Sequence, residues 1–234
     1  MLRAALVVLA LAACGRAATP TPTATTATPA AHGHHQASAD HDFADAAAWA
    51  EVFDDPARDA WQKPDEVVAL LGALPGQVVA DVGAGTGYFE GYLSRAVGGA
   101  GTVYALDSEP AMIAYLEARA TRELWSNVRA QVSPVDAPGL PPAAIDRVLI
   151  VDTWHHLPDR PGYARLLAAA LRPGGAIAVV DFTPDATIGP PAAARISAQT
   201  VVDELTAAGL VATIVAENLP HQYVVVARKS TGRP

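Results

Sequence analysis

VVADVGAGTGYFEGYLSRAV, residues Val78 to Val97, decides how the rest of the chain is read. The apolar run QVVADVG passes through Asp81, and three glycines follow at alternate positions, Gly83, Gly85 and Gly87. The run has the pattern of a buried strand, and TGYFEGYLSRAV has the period of a helix. A glycine loop between the two lets a ligand approach the backbone without meeting a Cβ. The dinucleotide fingerprint G-x-G-x-x-G fails, because Tyr88 holds its sixth position, and no G-x-x-x-x-G-K-[ST] phosphate loop occurs.

Strands and helices alternate downstream. GTVYALD, NVRAQVS, IDRVLIVD and AIAVVDF read as strands. SEPAMIAYLEARATREL, DRPGYARLLAAAL and SAQTVVDELTAAG read as helices, the second closed by Arg172-Pro173-Gly174-Gly175. LVATIVAENLPHQYVVVARK reads as a closing strand pair with no crossover helix, so one of its strands runs antiparallel. The expected fold is α/β: a doubly wound, Rossmann-like, mainly parallel seven-stranded sheet with an antiparallel last strand and helices on both faces. Ligands of such sheets bind outside the carboxyl ends of the strands, where Asp81, Asp107, Asp152 and Asp181 fall. An aspartate at a strand end also caps the following turn, and that role competes with ligand binding at each position.

These segments resemble the class I S-adenosylmethionine-dependent methyltransferases over about Pro64 to Lys229. VADVGAGTGYF looks like the family's first motif, RVLIVDTWHHLPDR like its fourth, and LLAAALRPGGAIAVVDF like the turn into its fifth strand. The resemblance implies S-adenosylmethionine as donor and S-adenosylhomocysteine as product. It places Gly83, Gly85 and Gly87 at the methionine part, Asp107 at the ribose and Asp136 in SPVDAPGLP at the adenine amine, with Asp81 and Ser108 also among the donor-binding residues. Met112 and Val135 would pack on the adenine or serve as ordinary helix and core packing. Asp152 completes the expected donor site.

The acceptor is less defined. His155 and His156 follow the fourth strand and stand as general base, pocket wall or helix cap. His221 and Tyr223 are weaker candidates. Asp152 and Asp181 end adjacent strands as in cation-dependent relatives, but Phe182 stands where that pattern needs Asn, so no metal is expected. FADAAAWAEVFDDPARDAWQKPDEVVALLGAL reads as helix, turn, helix. Its first part, 43–63, is expected to form a lid in which Trp49, Phe53 and Trp61 pack the closure or line an acceptor pocket. The rest, 64–234, is the expected methyltransferase domain.

The chain opens differently. Residues 1–14 carry Arg3, an apolar stretch from Ala4 to Ala13, and then Cys14, the only cysteine. Ten apolar residues are too short to cross a hydrocarbon core of about 30 Å, so a signal peptide fits better. LAACG resembles a bacterial lipobox, with Cys14 the lipidated residue, and implies a membrane anchor facing the periplasm, by the Gly15 that follows at the outer membrane. Without a working leader the address is cytoplasmic. Residues 15–42 are rich in Ala, Thr and Pro and then in histidine, with four of the seven histidines between His32 and His41. That composition reads as a disordered tether; the histidines are either a weak metal binder or plain solvated linker.

The net charge is −8 with only 16 Lys and Arg, which argues against a nucleic-acid partner. With no protein-recognition module visible either, a small molecule is the expected acceptor. The competing reading is a membrane-tethered protein that binds a nucleoside-like ligand without turning it over.

Overall fold

The computed structural model describes residues 43–232. Seven strands form one sheet: β1 (Val78–Val82), β2 (Thr102–Asp107), β3 (Val128–Val132), β4 (Ile145–Val151), β5 (Leu171–Phe182), β6 (Val211–Val215) and β7 (Gln222–Arg228). Their spatial order is β3-β2-β1-β4-β5-β7-β6. β1 pairs in parallel with both β2 and β4, so the strand order reverses around it. A crevice opens at such a reversal, beyond the carboxyl ends of the strands. β7 runs antiparallel to β5 and β6, as expected of a strand pair joined without a crossover helix.

Parallel strands buried on both faces are built from nearly continuous apolar residues. In β4, Val148 and Ile150 join one core with Trp154, Tyr163, Leu167, Val201 and Leu205. Leu149 and Val151 join the other with Val67, Leu71, Leu93, Val97 and Leu116. The first face is therefore covered by α6 (Arg160–Ala170) and α7 (Ala198–Ala207). The second is covered by α3 (Pro64–Leu71), α4 (Glu90–Val97) and α5 (Pro110–Arg122). Their starts are chemically marked: Asp159 and Ser197 accept backbone N–H bonds at the starts of α6 and α7, and Pro64 and Pro110 open α3 and α5. Among the described residues, no helix is long and apolar enough to cross a membrane.

Two boundaries differ from the sequence reading. The helix expected from Thr86 begins only at Glu90, because Gly83, Gly85 and Gly87 all take positive φ and the chain turns through them. The segment Arg172–Gly175 does not simply close a helix. It lies inside β5: Ile145 pairs with Leu171, and Arg147 already with Ala176. The four residues are bulged out of the ladder, with Gly174 at φ +77.

Ahead of the sheet, α1 (Ala46–Phe53), a short 3-10 turn (Pro56–Arg58) and α2 (Asp59–Gln62) form a strap. Lys63, at φ 44, breaks α2 from α3. Met1 to Asp42 lie outside the described residues, and with them the expected leader, Cys14 and the histidine-rich tether.

Candidate functional site

The glycine loop is fixed by its backbone. The Gly83 and Ala84 amides donate to the Leu106 carbonyl at 2.8 and 2.9 Å, tying the end of β1 to the end of β2. Gly83 sits at φ +78, and a Cβ there would lie 2.2 Å from Thr153 Oγ1. Only glycine fits. At Gly87, φ +90, an added Cβ would lie 3.2 Å from Leu116.

Asp107 ends β2 and faces the loop. Its carboxylate accepts the Gly85 amide at 2.8 Å and the Glu109 amide at 3.0 Å. Burial pushes its pKa up, and these backbone donors resist the shift. Ser108 is exposed and Met112 is buried in the helix that follows. Val135 and Asp136 lie in a turn after β3, both exposed. The turn stands near the same sheet end, since the Ser133 amide donates to the Asp107 carbonyl at 2.8 Å.

Asp81 is buried at the end of β1, beside Glu90 in the first turn of α4. Neither Glu90 oxygen receives a bond from a protein donor. Two buried carboxyls side by side resist ionising together. Burial pushes Asp81 up to about 7 and Glu90 well above the ordinary range.

β4 and β5 supply the other half of the site. Asp152, in left-handed backbone at φ 52, accepts a bond from Gln222 Nε2 at 2.6 Å. Burial lifts its pKa to about 7 against the pull of Arg58. His155 turns Nδ1 onto both oxygens of Asp181 at 3.0 Å. The two side chains are 2% and 0% exposed. Burial opposes charge on His155, but the bond and charge of Asp181 prevail and hold its pKa above the usual imidazole value. With Nδ1 committed, Nε2 carries the free chemistry, and it is buried with no partner. The adjacent His156 ring lies 4.1 Å away, centroid to centroid. Trp154 anchors this loop by donating from Nε1 to Glu204 at 2.8 Å.

The strap closes over both halves. The Phe53 ring lies 3.6 Å from where a Gly85 Cβ would be. Asp54 pairs with Arg119 at 2.7 Å, and Arg119 also donates to the Thr86 carbonyl at 3.0 Å. Tyr88 bonds Asp59, and Gln62 donates to Gln222 at 2.7 Å. Trp61 packs against Phe182 with centroids 5.9 Å apart, whereas Trp49 belongs to an aromatic cluster with Phe43 and Phe53.

Arg58 lies at the centre of this closure, its side chain 14% exposed. It stacks 4.0 Å over the Tyr88 ring and stands 3.7 Å from Asp152. Sequence reasoning passed over Arg58, Gln62, Glu90 and Gln222. The available signals were a lone basic residue between Asp54, Asp55 and Asp59, and polar residues at the starts of α4 and β7. His221 and Tyr223 separate: His221 is half-buried beside the sheet end, and the Tyr223 hydroxyl donates to the Ile196 carbonyl in the core below. Among the described residues, no group of three or more His, Cys, Asp or Glu is placed to hold a metal ion.

Residues 79–175 match the model of a methyltransferase domain. The fold is the Rossmann-like methyltransferase fold. A solved S-adenosylmethionine-dependent methyltransferase from Aquifex aeolicus superposes with a TM-score of 0.74 at 28% identity, covering 80% of this chain and 98% of that one. Among curated proteins, the methyltransferase GfsG of Streptomyces halstedii is 29% identical over 57% of this chain and 48% of its own length. A protein-L-isoaspartate O-methyltransferase from Aeropyrum pernix is 31% identical over 52% of this chain and 45% of its own. The chain thus spans about half the length of the curated relatives it matches.

Proposed function

We propose that the protein transfers a methyl group from S-adenosylmethionine to a small-molecule acceptor. The observation that carries the proposal is the cradle formed by Gly83, Gly85 and Gly87 beside Asp107, in the crevice where the strand order reverses. A side chain at Gly83 would run into Thr153, so glycine is what lets the loop keep its tight course past the strand ends. Asp107 takes the ribose hydroxyls; bonds from hydroxyls to an ionised acceptor contribute about 1.5–3 kcal/mol each. Val135 and Asp136 flank the adenine, with Ser108 and Met112 at the start of α5. The acids Asp81 and Asp152 suit the donor's positive charges.

The bound donor supplies a methyl group already activated on a sulfonium, so the chain's own work is alignment, exclusion of water and management of the acceptor's proton. The strap excludes water. Asp181 orients His155 so that Nε2 can receive a proton from the acceptor, and His156 packs beside it. This is the division of labour of a histidine base held by a buried aspartate.

Calorimetry tests the donor assignment. S-adenosylhomocysteine binds the wild type, and Asp107→Ala weakens it at least tenfold. Binding of NADH in its place would overturn the assignment. The acceptor is sought by incubating the purified protein with labelled donor and a metabolite extract, followed by mass spectrometry. The same experiment separates the enzyme from a tethered binding protein, a reading favoured by the leader because the donor is made in the cytoplasm. A binding protein holds S-adenosylhomocysteine and yields no methylated product.

The leader carries a proposal about location. Residues 11–14, Leu-Ala-Ala-Cys, follow a short apolar stretch and precede a Thr/Pro-rich segment, the order of a lipoprotein. A multiply acylated Cys14 anchors stably, since each buried CH₂ contributes about 0.8 kcal/mol. Labelled fatty acid attaches to the wild type and not to Cys14→Ser, which still binds S-adenosylhomocysteine. A soluble protein that retains its first fourteen residues would sink this reading.

A further inference from the structure

The strap brings one cation into a site otherwise lined by acids. Asp81, Glu90, Asp107, Asp152 and Asp181 surround the strand ends, four of them at the carboxyl ends of strands and Glu90 in the first turn of α4. This charge suits the sulfonium and ammonium of the methyl donor. It repels the third charged group of the same molecule, the carboxylate of its amino-acid end. A cation beside that group would offset the repulsion.

The cations nearby are mostly committed. Arg119 is taken by Asp54 at 2.7 Å and Arg160 by Glu204 at 2.9 Å. Lys63 bonds the Asn218 carbonyl. Arg58 differs. Its bonds go to neutral oxygens: the Phe53 carbonyl at 2.9 Å from Nη1, and Gln62 Oε1 at 3.2 and 3.0 Å from Nε and Nη2. Its nearest carboxylate, Asp152, stands at 3.7 Å, beyond a hydrogen bond. A guanidinium has five N–H donors, so one on each of Nη1 and Nη2 remains uncommitted. A pair of terminal N–H groups on a buried fork matches the two oxygens of a carboxylate. The residue is also held in place, between the Tyr88 face at 4.0 Å and the Gln62–Gln222 bond at 2.7 Å.

We propose that Arg58 takes the carboxylate at the amino-acid end of the methyl donor, so that the strap closing the site also recognises that end. The proposal rests on the methyl-donor reading above. It makes the strap part of the donor site, outside the stretch from Val79 to Gly175 that matches the methyltransferase domain.

A ligand pair isolates the contact. S-adenosylhomocysteine and its decarboxylated analogue share adenosine, thioether and amine and differ only in the carboxylate. Calorimetry on the full chain should show the wild type binding S-adenosylhomocysteine at least 30-fold more tightly than the analogue. In Arg58→Met, affinity for S-adenosylhomocysteine falls at least 30-fold while that for the analogue changes less than threefold. Arg58→Lys, which keeps the charge and loses the fork, lies between. Equal losses for both ligands would reduce Arg58 to a fastener of the strap and overturn the proposal. Equal wild-type affinities overturn it without any variant, should Arg58→Met fail to fold. A wild type that binds neither ligand refutes the methyl-donor reading itself, a result distinct from either.

Discussion

The two halves of the crevice are built on different rules. At the ends of β1 and β2 the backbone does the positioning: Gly83 and Ala84 donate to Leu106, and Gly85 and Glu109 donate to Asp107. At the ends of β4 and β5 side chains do it: His155 on Asp181, Gln222 on Asp152, and Gln62 on Gln222. The first half resembles a mould, set by the course of the chain. The second is a network whose members hold one another, and its His155 Nε2 is left free to act. A mould suits the constant part of a reaction, and a network can change its members as the acceptor changes.

Breaking the mould should have the largest effect. Gly83→Val puts a branched side chain at φ +78 against Thr153. Left-handed backbone costs a non-glycine residue about 1–2 kcal/mol, and overpacking adds about 1–3 kcal/mol. The variant is expected to lose about 2–5 kcal/mol in denaturant unfolding and all measurable S-adenosylhomocysteine binding. A stable variant that still binds would show that the loop is not the mould described.

Breaking the network should spare the fold's donor half and strike turnover. His155→Ala is expected to lower methyl transfer by about 10²–10⁴-fold, the usual contribution of a general base. Asp181→Asn lowers it by a similar order because it disturbs the tautomer. S-adenosylhomocysteine affinity stays within threefold in both. Turnover equal to wild type in the alanine variants of His155, His156 and the pair would remove the histidines from the chemistry.

The same contrast explains what the sequence made legible. The strands, the sheet's antiparallel end and the glycine loop follow from period, composition and turns within a few residues of one another. Asp81, Asp107, Asp152 and Asp181 were visible because each ends an apolar run. Gln62 and Gln222 are 160 positions apart and meet only in the folded chain. Nothing local marks either as part of a site. Arg58 was hidden for a related reason: among Asp54, Asp55 and Asp59 it reads as one charge of a solvated turn, and only closure of the strap buries it. The late start of α4 is a smaller miss of the same kind, since helical period continues through glycines that the backbone uses to turn.

The smallest expected effect is a dependence of stability on pH. Asp152 and Asp81 both titrate near 7 in the folded protein, lifted by burial from the usual 3.8. A carboxyl with a raised folded pKa binds its proton more tightly when native than when unfolded. Its contribution therefore favours the native state below the unfolded value, near pH 4, and is lost as pH rises through 7. A pKa unit corresponds to about 1.4 kcal/mol, but Arg58 and water entering the cleft discount the effect, leaving about 1–2 kcal/mol between pH 5.5 and 7.5. For a domain of this size that lowers Tm by about 4 °C. Asp152→Asn keeps an acceptor for Gln222 and removes the titration, so its Tm should fall about half as steeply over the same range. Binding reverses the sign: positive charge on the donor favours the ionised carboxyls, so S-adenosylmethionine should bind more tightly at pH 7.5 than at 5.5, with protons released. Melting curves of the free and ligand-saturated protein at four pH values check both slopes. A free protein whose Tm climbs from pH 5.5 to 7.5, or an asparagine variant with an unchanged slope, would show that Asp152 is ionised throughout and that the network carries a fixed negative charge.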